Sequence, residues 1–249
     1  MPRFLVSCCA TLLMVGSAVA ADIPARSRVS SPVMAPSPYY NWNGFYIGGH
    51  VGYGWGSKDI VDGPSVLTNF SGIAGTPLAN YDVDGAIGGG QIGWNWQAGH
   101  WLFDIEADIS ASGMKGSGPV SILAVPLVGV AASTDINFLA TVTGRFGYAW
   151  NNWLWYAKGG WAYVDEDHSA TAFGALFTTG DSRSGWTVGT GIEWGFANNW
   201  SAKVEYNYMD FGDKDITLTN AVFGSAVVNV DQQIHAIKFG INYRFGRPY

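Results

Sequence analysis

Trp101-Leu102-Phe103-Asp104-Ile105-Glu106-Ala107-Asp108-Ile109 alternates ring or aliphatic side chains with carboxylates. Successive side chains of a strand point to opposite faces. The stretch therefore sets Trp101, Phe103, Ile105 and Ile109 on one side and Asp104, Glu106 and Asp108 on the other. Whichever face turns inward, one side of this strand meets an environment that a water-soluble sheet does not offer.

The same period of two recurs in eight segments, at about Gly44 to Trp55, Asp84 to Gln97, Trp101 to Ala111, Ile136 to Ala149, Trp153 to Val164, Ser184 to Phe196, Trp200 to Asp210 and Gln233 to Phe245. Three connections are short, Ala98-Gly99-His100, Trp150-Asn151-Asn152 and Ala197-Asn198-Asn199, and each is followed by a Trp. The other four are long. Short turns at one end and long loops at the other is the asymmetry of outer-membrane barrels, and the recurrent Trp101, Trp153 and Trp200 fit an aromatic girdle at one interface.

The two faces differ in size and charge. One carries Ile92, Trp94, Trp96, Phe138, Val142, Phe146, Tyr148, Trp153, Trp155, Trp161, Tyr163, Trp186, Val188, Ile192, Trp194, Phe196, Val204, Tyr206, Tyr208, Ile237, Phe239 and Ile241, with no charge among them. The other carries Gln91, Asn95, Thr141, Thr143, Asn207 and Asn242 among glycines, and the acids Asp104, Glu106, Asp108, Glu193 and Glu205 against the bases Arg145, Lys158, Lys203, Lys238 and Arg244. An eight-stranded barrel has an interior only wide enough for side chains, so the rings point outward. In water such a surface aggregates; in lipid it is required. The five acids and five bases then fill the lumen, because buried charges persist only when paired. This predicts an all-β, eight-stranded antiparallel transmembrane β-barrel with a plugged lumen, at most narrowly conducting, in which Arg145 neighbours the acids of the third strand.

The chain's start assigns the compartment. Arg3, an apolar run to Val19 and Ala18-Val19-Ala20 predict a cleaved signal peptide over 1–20. Leu5-Val6-Ser7-Cys8 looks like a lipoprotein acylation site but precedes the hydrophobic core. Cys8 and Cys9 are both in the signal, so the barrel relies on no disulfide or thiolate. Pro24, Pro32, Pro36 and Pro38 mark 21–43 as a periplasmic linker, and the barrel spans 44–249.

Asn41-Trp42-Asn43-Gly44-Phe45-Tyr46-Ile47-Gly48 and Gly89-Gly90-Gln91-Ile92-Gly93-Trp94-Asn95-Trp96-Gln97 resemble the small outer-membrane barrel family of alpha-proteobacteria, the "porin family" or outer-membrane immunogenic proteins. Further matches follow in order at 144–148, 156–160, 185–193, 205–206, 210–212 and 242–245. The resemblance implies an eight-stranded surface barrel with roles in envelope integrity and antigenicity, haemin binding in some members, and no catalytic residues. Tyr243 and Phe245 resemble the terminal assembly signal read by the barrel assembly machinery, although Gly246-Arg247-Pro248-Tyr249 follows, leaving Phe245 or Tyr249 as the effective residue.

Other motifs take plainer readings. Gly85-Ala86-Ile87-Gly88-Gly89-Gly90 is not a dinucleotide loop, since no helix follows. His50, His100, His168 and His235 are read as turn, loop or surface residues without partners at ligand spacing, so no metal, cofactor or catalytic site is expected. Asp59, Asp62, Asp82, Asp84, Asp135, Asp165, Glu166, Asp167, Asp181, Asp210, Asp213, Asp215 and Asp231, with only Lys58, Lys115, Arg183 and Lys214, are read as a solvated acidic outer rim beside lipopolysaccharide, which a divalent cation could bridge. That balance argues against nucleic acid. The apolar stretches 120–132 and 221–230 either extend the hairpins or form a patch for haemin or for host and environmental surfaces. The leading reading is a structural surface barrel contacting outer-membrane lipid; the rivals are a narrow passive porin and a lipid-modifying outer-membrane enzyme.

Overall fold

A computed structural model describes residues 40–63, 75–122, 125–172, 175–220 and 224–245. The segments read as signal peptide and, up to residue 39, as linker, the tail 246–249 and residues 123–124 and 221–223 of the apolar stretches lie outside them.

Eight strands follow in chain order: β1 (Gly44–Asp62), β2 (Pro77–Ala98), β3 (Trp101–Ile122), β4 (Val125–Trp150), β5 (Trp153–Ala172), β6 (Ala175–Ala197), β7 (Trp200–Asn220) and β8 (Gly224–Phe245). Each pairs antiparallel with the next, and β1 pairs with β8 from Phe45↔Phe245 upward, closing the barrel. Closure leaves no unpaired edge, a condition for crossing lipid with strands. At the turn end β2 passes to β3 through Gly99, β4 to β5 through Asn151, both at positive φ. Gly and Asn tolerate that conformation where other residues are strained.

The strands run from 19 residues in β1 to 26 in β4, about twice the 9–11 needed to cross a bilayer. All eight therefore continue past the ends read from the sequence. The stretch 120–132 belongs largely to the extended β3–β4 hairpin, and β8 begins at Gly224 inside the second apolar stretch.

Every outward residue assigned from the alternation faces away from the lumen. Phe103, Trp155 and Phe239 are 53%, 50% and 56% exposed. Trp101, Trp153 and Trp200 ring the turn end. Tyr53, Trp55, Trp161, Tyr163, Trp186 and Tyr206 form a second ring higher up the wall. From Trp153 to Tyr163 is ten residues, which at about 3.4 Å each and about 40° tilt rise about 26 Å. That matches the apolar band of an outer-membrane barrel. A groove of about 1210 Å³, lined by Ile47, Trp194, Ala202, Phe239 and Ile241, opens on this outer wall. It faces lipid rather than the lumen.

Candidate functional site: the barrel interior

Reading inward residues along β5 from the turn end gives Leu154, Tyr156, Lys158, Gly160, Ala162, Val164, Glu166 and His168. The order is apolar, charged, apolar, charged, and the other strands supply matching residues.

At the turn end Trp42 is fully buried and packs with Tyr40, Leu102, Ala149, Leu154 and Tyr156. Its backbone N–H donates to Gln97 Oε1 at 3.0 Å, and Gln97 N–H donates to Asn43 Oδ1 at 2.6 Å. The Arg244 guanidinium lies 4.7 Å from the Trp42 ring and 5.2 Å from that of Tyr40. Residues 40–43, placed with the linker on composition, thus pack into the barrel's end, because an indole flanked by β1 finds an apolar seat that a Pro-rich reading does not reveal.

Above this seal lie the ten charged residues assigned to the lumen, all buried. Arg145 Nε donates to Asp104 Oδ1 at 2.7 Å, and its Nη1 stands 3.4 Å from Glu106 and 3.7 Å from Glu193. Lys158 bridges Glu106 and Glu205 at 2.9 and 3.0 Å, and Lys203 bridges the same two acids at 3.1 and 3.3 Å. Arg244 reaches Glu193 at 3.4 Å. Eight of the ten are therefore one continuous set of ion pairs. Asp108 and Lys238 make a separate pair at 2.7 Å. It joins the first through His50, which contacts Gln91 at 2.6 Å, Gln91 donating to Asn242, and Asn242 donating to Glu193.

Two tyrosines absent from the sequence-based assignment complete the set. The Tyr46 hydroxyl accepts from Arg145 and donates to Glu106, at 2.7 and 2.8 Å, and Tyr156 donates to Glu205 at 2.8 Å. Their rings flank the Arg145 guanidinium at 5.2 and 4.7 Å. Each lies over a glycine that is its register partner, Gly93 for Tyr46 and Gly191 for Tyr156. A Cβ on either glycine would stand 2.3 and 2.5 Å from the respective hydroxyl. A tyrosine facing a glycine across a hairpin is the signal that would have found them.

Past an apolar layer of Ile87, Met114, Leu139, Val164, Met209 and Ile234, the sequence reading needs correction. Lys58, Glu166 and Arg183, expected in a solvated rim, are 0%, 1% and 3% exposed. His50 and His168, expected in turns, loops or on the surface, are 5% and 6% exposed. For Lys58, Glu166, Arg183 and His168 the cause is strand length: the barrel interior continues to this height, and these residues keep the inward parity, whereas His50 lies lower, at inward parity beside Asp108 and Gln91. Lys58 Nζ pairs with Glu166 Oε2 at 2.5 Å, Arg183 Nε lies 3.2 Å from Glu166 Oε1, and His168 Nε2 3.1 Å from the same oxygen. The expectation that no histidine has a carboxylate at ligand spacing therefore fails at Glu166 and His168. At about 34 Å of rise along the barrel axis from the turn end, this cluster lies beyond the membrane band. Burial pushes the Lys58 ammonium down to about 8 despite the attraction of Glu166. Burial would raise Glu166, but the His168 hydrogen bond and the Lys58 and Arg183 charges outweigh it and hold the carboxyl at about 2. Of the other acids named for the rim, Asp59, Asp82, Asp84, Asp167, Asp213 and Asp215 are exposed and Asp135, Asp165, Asp181, Asp210 and Asp231 are half-buried, whereas Asp62 is buried.

The sequence profile of the outer membrane protein beta-barrel domain matches residues 9–245. The 31 kDa outer-membrane immunogenic protein of Brucella melitensis is 35% identical over 92% of this chain and 94% of its own length. The 22 kDa outer membrane protein of Rhizobium leguminosarum is 29% identical over 84% of this chain and 80% of its own. Among solved structures, the Escherichia coli outer membrane protease OmpT superposes with TM-score 0.55 at 8% identity, covering 81% of this chain and 97% of that one. OprG of Pseudomonas aeruginosa gives 0.52 at 14%, covering 83% and 99%. Those two likenesses concern the fold alone. The closed eight-stranded barrel agrees with that description, and the chain belongs to the outer-membrane β-barrel domain family, as a relative of the alpha-proteobacterial immunogenic outer-membrane proteins.

Proposed function

We propose that this outer-membrane barrel serves as a structural and surface-presenting component of the envelope, with its lumen closed rather than conducting, its short turns in the periplasm and its long hairpins outside. The observation that carries the reading is the continuous ion-pair set from Asp104 to Arg244, which spans the barrel between the Trp42 seal and the apolar layer above. Paired buried charges hold one arrangement, because separating any pair leaves a charge uncompensated in a low-dielectric site. The reading is non-enzymatic: the lumen acids are engaged by cations, and the names of the relatives point to surface antigens rather than catalysts. The test is planar-bilayer recording on the refolded barrel. The expected trace shows no steady open level; a sustained, ion-selective conductance in the unmodified barrel would establish the rival reading as a narrow porin.

A second reading, contact with haemin or with host and environmental surfaces through the outer hairpins, is favoured by the β3–β4 tip, where Val125 and Val128 are 65% and 96% exposed. Apolar side chains this open to water mark contact surfaces when they cluster. Excising residues 121–131 is expected to lower binding to haemin-agarose or to cell surfaces, and unchanged binding to both removes this reading.

A further inference from the structure

The charged cluster at the outer end of the lumen brings three ligating side chains close together. Glu166, His168 and Asp181 each present one ligand atom, and these atoms lie within 4.8 Å of one another. All three come from one hairpin: Glu166 and His168 share the inward face of β5, and Asp181 on β6 is the register partner of Glu166. Asp181 Oδ1 accepts from Lys214 Nζ at 2.7 Å, while its Oδ2 accepts no hydrogen bond and lies 3.4 Å from Arg183 Nε. Gln232, the register partner of Lys58, is fully buried, and neither its amide oxygen nor its amide nitrogen has a hydrogen-bond partner. A buried carboxamide left unpaired on both atoms is rare and points to a guest.

The imidazole is also supported from behind. His168 Nδ1 lies 3.0 Å from Thr134 Oγ1, which lies 2.8 Å from the Tyr81 hydroxyl. Hydroxyls rotate, so this chain runs in either direction and accepts an Nδ1–H when Nε2 is a ligand. An outer partner of this kind is what metal-bound histidines have.

We propose that the outer end of the lumen binds a divalent first-row transition ion, with Glu166, His168 and Asp181 as ligands and the unpartnered Gln232 paired in register with Lys58, which contacts Glu166. One imidazole with carboxylate oxygens and no thiolate selects ions of the Zn²⁺ or Ni²⁺ kind over Ca²⁺ and Mg²⁺, which prefer oxygen alone. Lys58, Arg183 and Lys214 balance the two carboxylates when no metal is there, and the metal displaces Lys58 from Glu166. Lys58 is therefore a competitor for the site, which gives the proposal a distinctive signature.

The experiment is a zinc titration of the refolded full chain against a chromophoric chelator, with folding of each variant checked by boiling-dependent gel mobility. The unmodified barrel is expected to bind one Zn²⁺. H168A and D181N are expected to lose at least about tenfold in affinity, and K58M to gain at least about tenfold, because a unit charge a few ångströms away is removed. D167N, which alters an exposed carboxylate on the outer face of the same strand, is expected to change nothing. Equal affinity in H168A, loss in D167N, or no gain in K58M would assign the zinc to the exposed aspartates and overturn the proposal. D181N keeps the test open if H168A fails to fold, since Asp181 sits at the half-exposed rim.

Discussion

Arg145 has more partners than any other cation in the lumen: Asp104, Glu106, Glu193, Asn95 and two tyrosine rings surround one guanidinium. Removing it leaves three acids facing a hole in low dielectric, and breaking a buried pair from one side costs about 3–5 kcal/mol. Arg145→Ala is therefore expected to lower the urea midpoint of the refolded barrel, followed by boiling-dependent gel mobility. Lys115→Ala, which breaks an exposed pair with Asp135 at 3.0 Å, is expected to cost no more than about 1 kcal/mol. Similar midpoints for the two variants would contradict the network's role. The ten lumen charges were legible because Lys, Arg, Asp and Glu sit at one parity while rings hold the other. Tyr46 and Tyr156 were not, since a phenol at inward parity carries no charge to flag it, and only pairing shows the glycine beneath each.

At the scale of the strand, contrast between the faces decides what can be read. Inside the membrane band the outward residues are rings and the boundary is sharp. Above it the outward positions become Asp, Ser and Thr, as at Asp165, Asp167 and Ser169 on β5, so both faces look polar and the strands seem to stop. Parity still holds there: counting in twos from Lys158 reaches Glu166 and His168, and from Glu193 reaches Arg183. Counting fails where the register shifts, between Ile136 and Phe138 on β4 and between Asp210 and Asp213 on β7. The inward sides of Leu139 and Ile136 are therefore three apart. The extended β3–β4 hairpin adds height without closing the barrel, because β3 and β4 are already paired from Trp101↔Tyr148 upward. Excision of residues 121–131 is accordingly expected to leave refolding yield and boiling-dependent mobility unchanged. Loss of the compact form would mean that the hairpin's outer half takes part in closure.

For the whole molecule, the lumen is a stack of layers: an indole seal, an ion-pair set, an apolar layer and a second charged cluster under the outer hairpins. With these layers in series, the proposed closed lumen predicts that no single substitution opens a wide pore. Everything depends on which face meets lipid, and that is measurable directly. With Cys8 and Cys9 the only cysteines, single cysteines introduced after residue 9 and spin-labelled in a chain lacking the first twenty residues report one site each. Labels at Trp155, Ile192 and Phe239 are expected to collide freely with lipid-dissolved oxygen. Labels at the small inward residues Ser110 and Thr187, each 1% exposed, are expected to be shielded from oxygen. Shielded labels at the three outward sites with oxygen-accessible labels at Ser110 and Thr187 would invert the barrel and contradict the account.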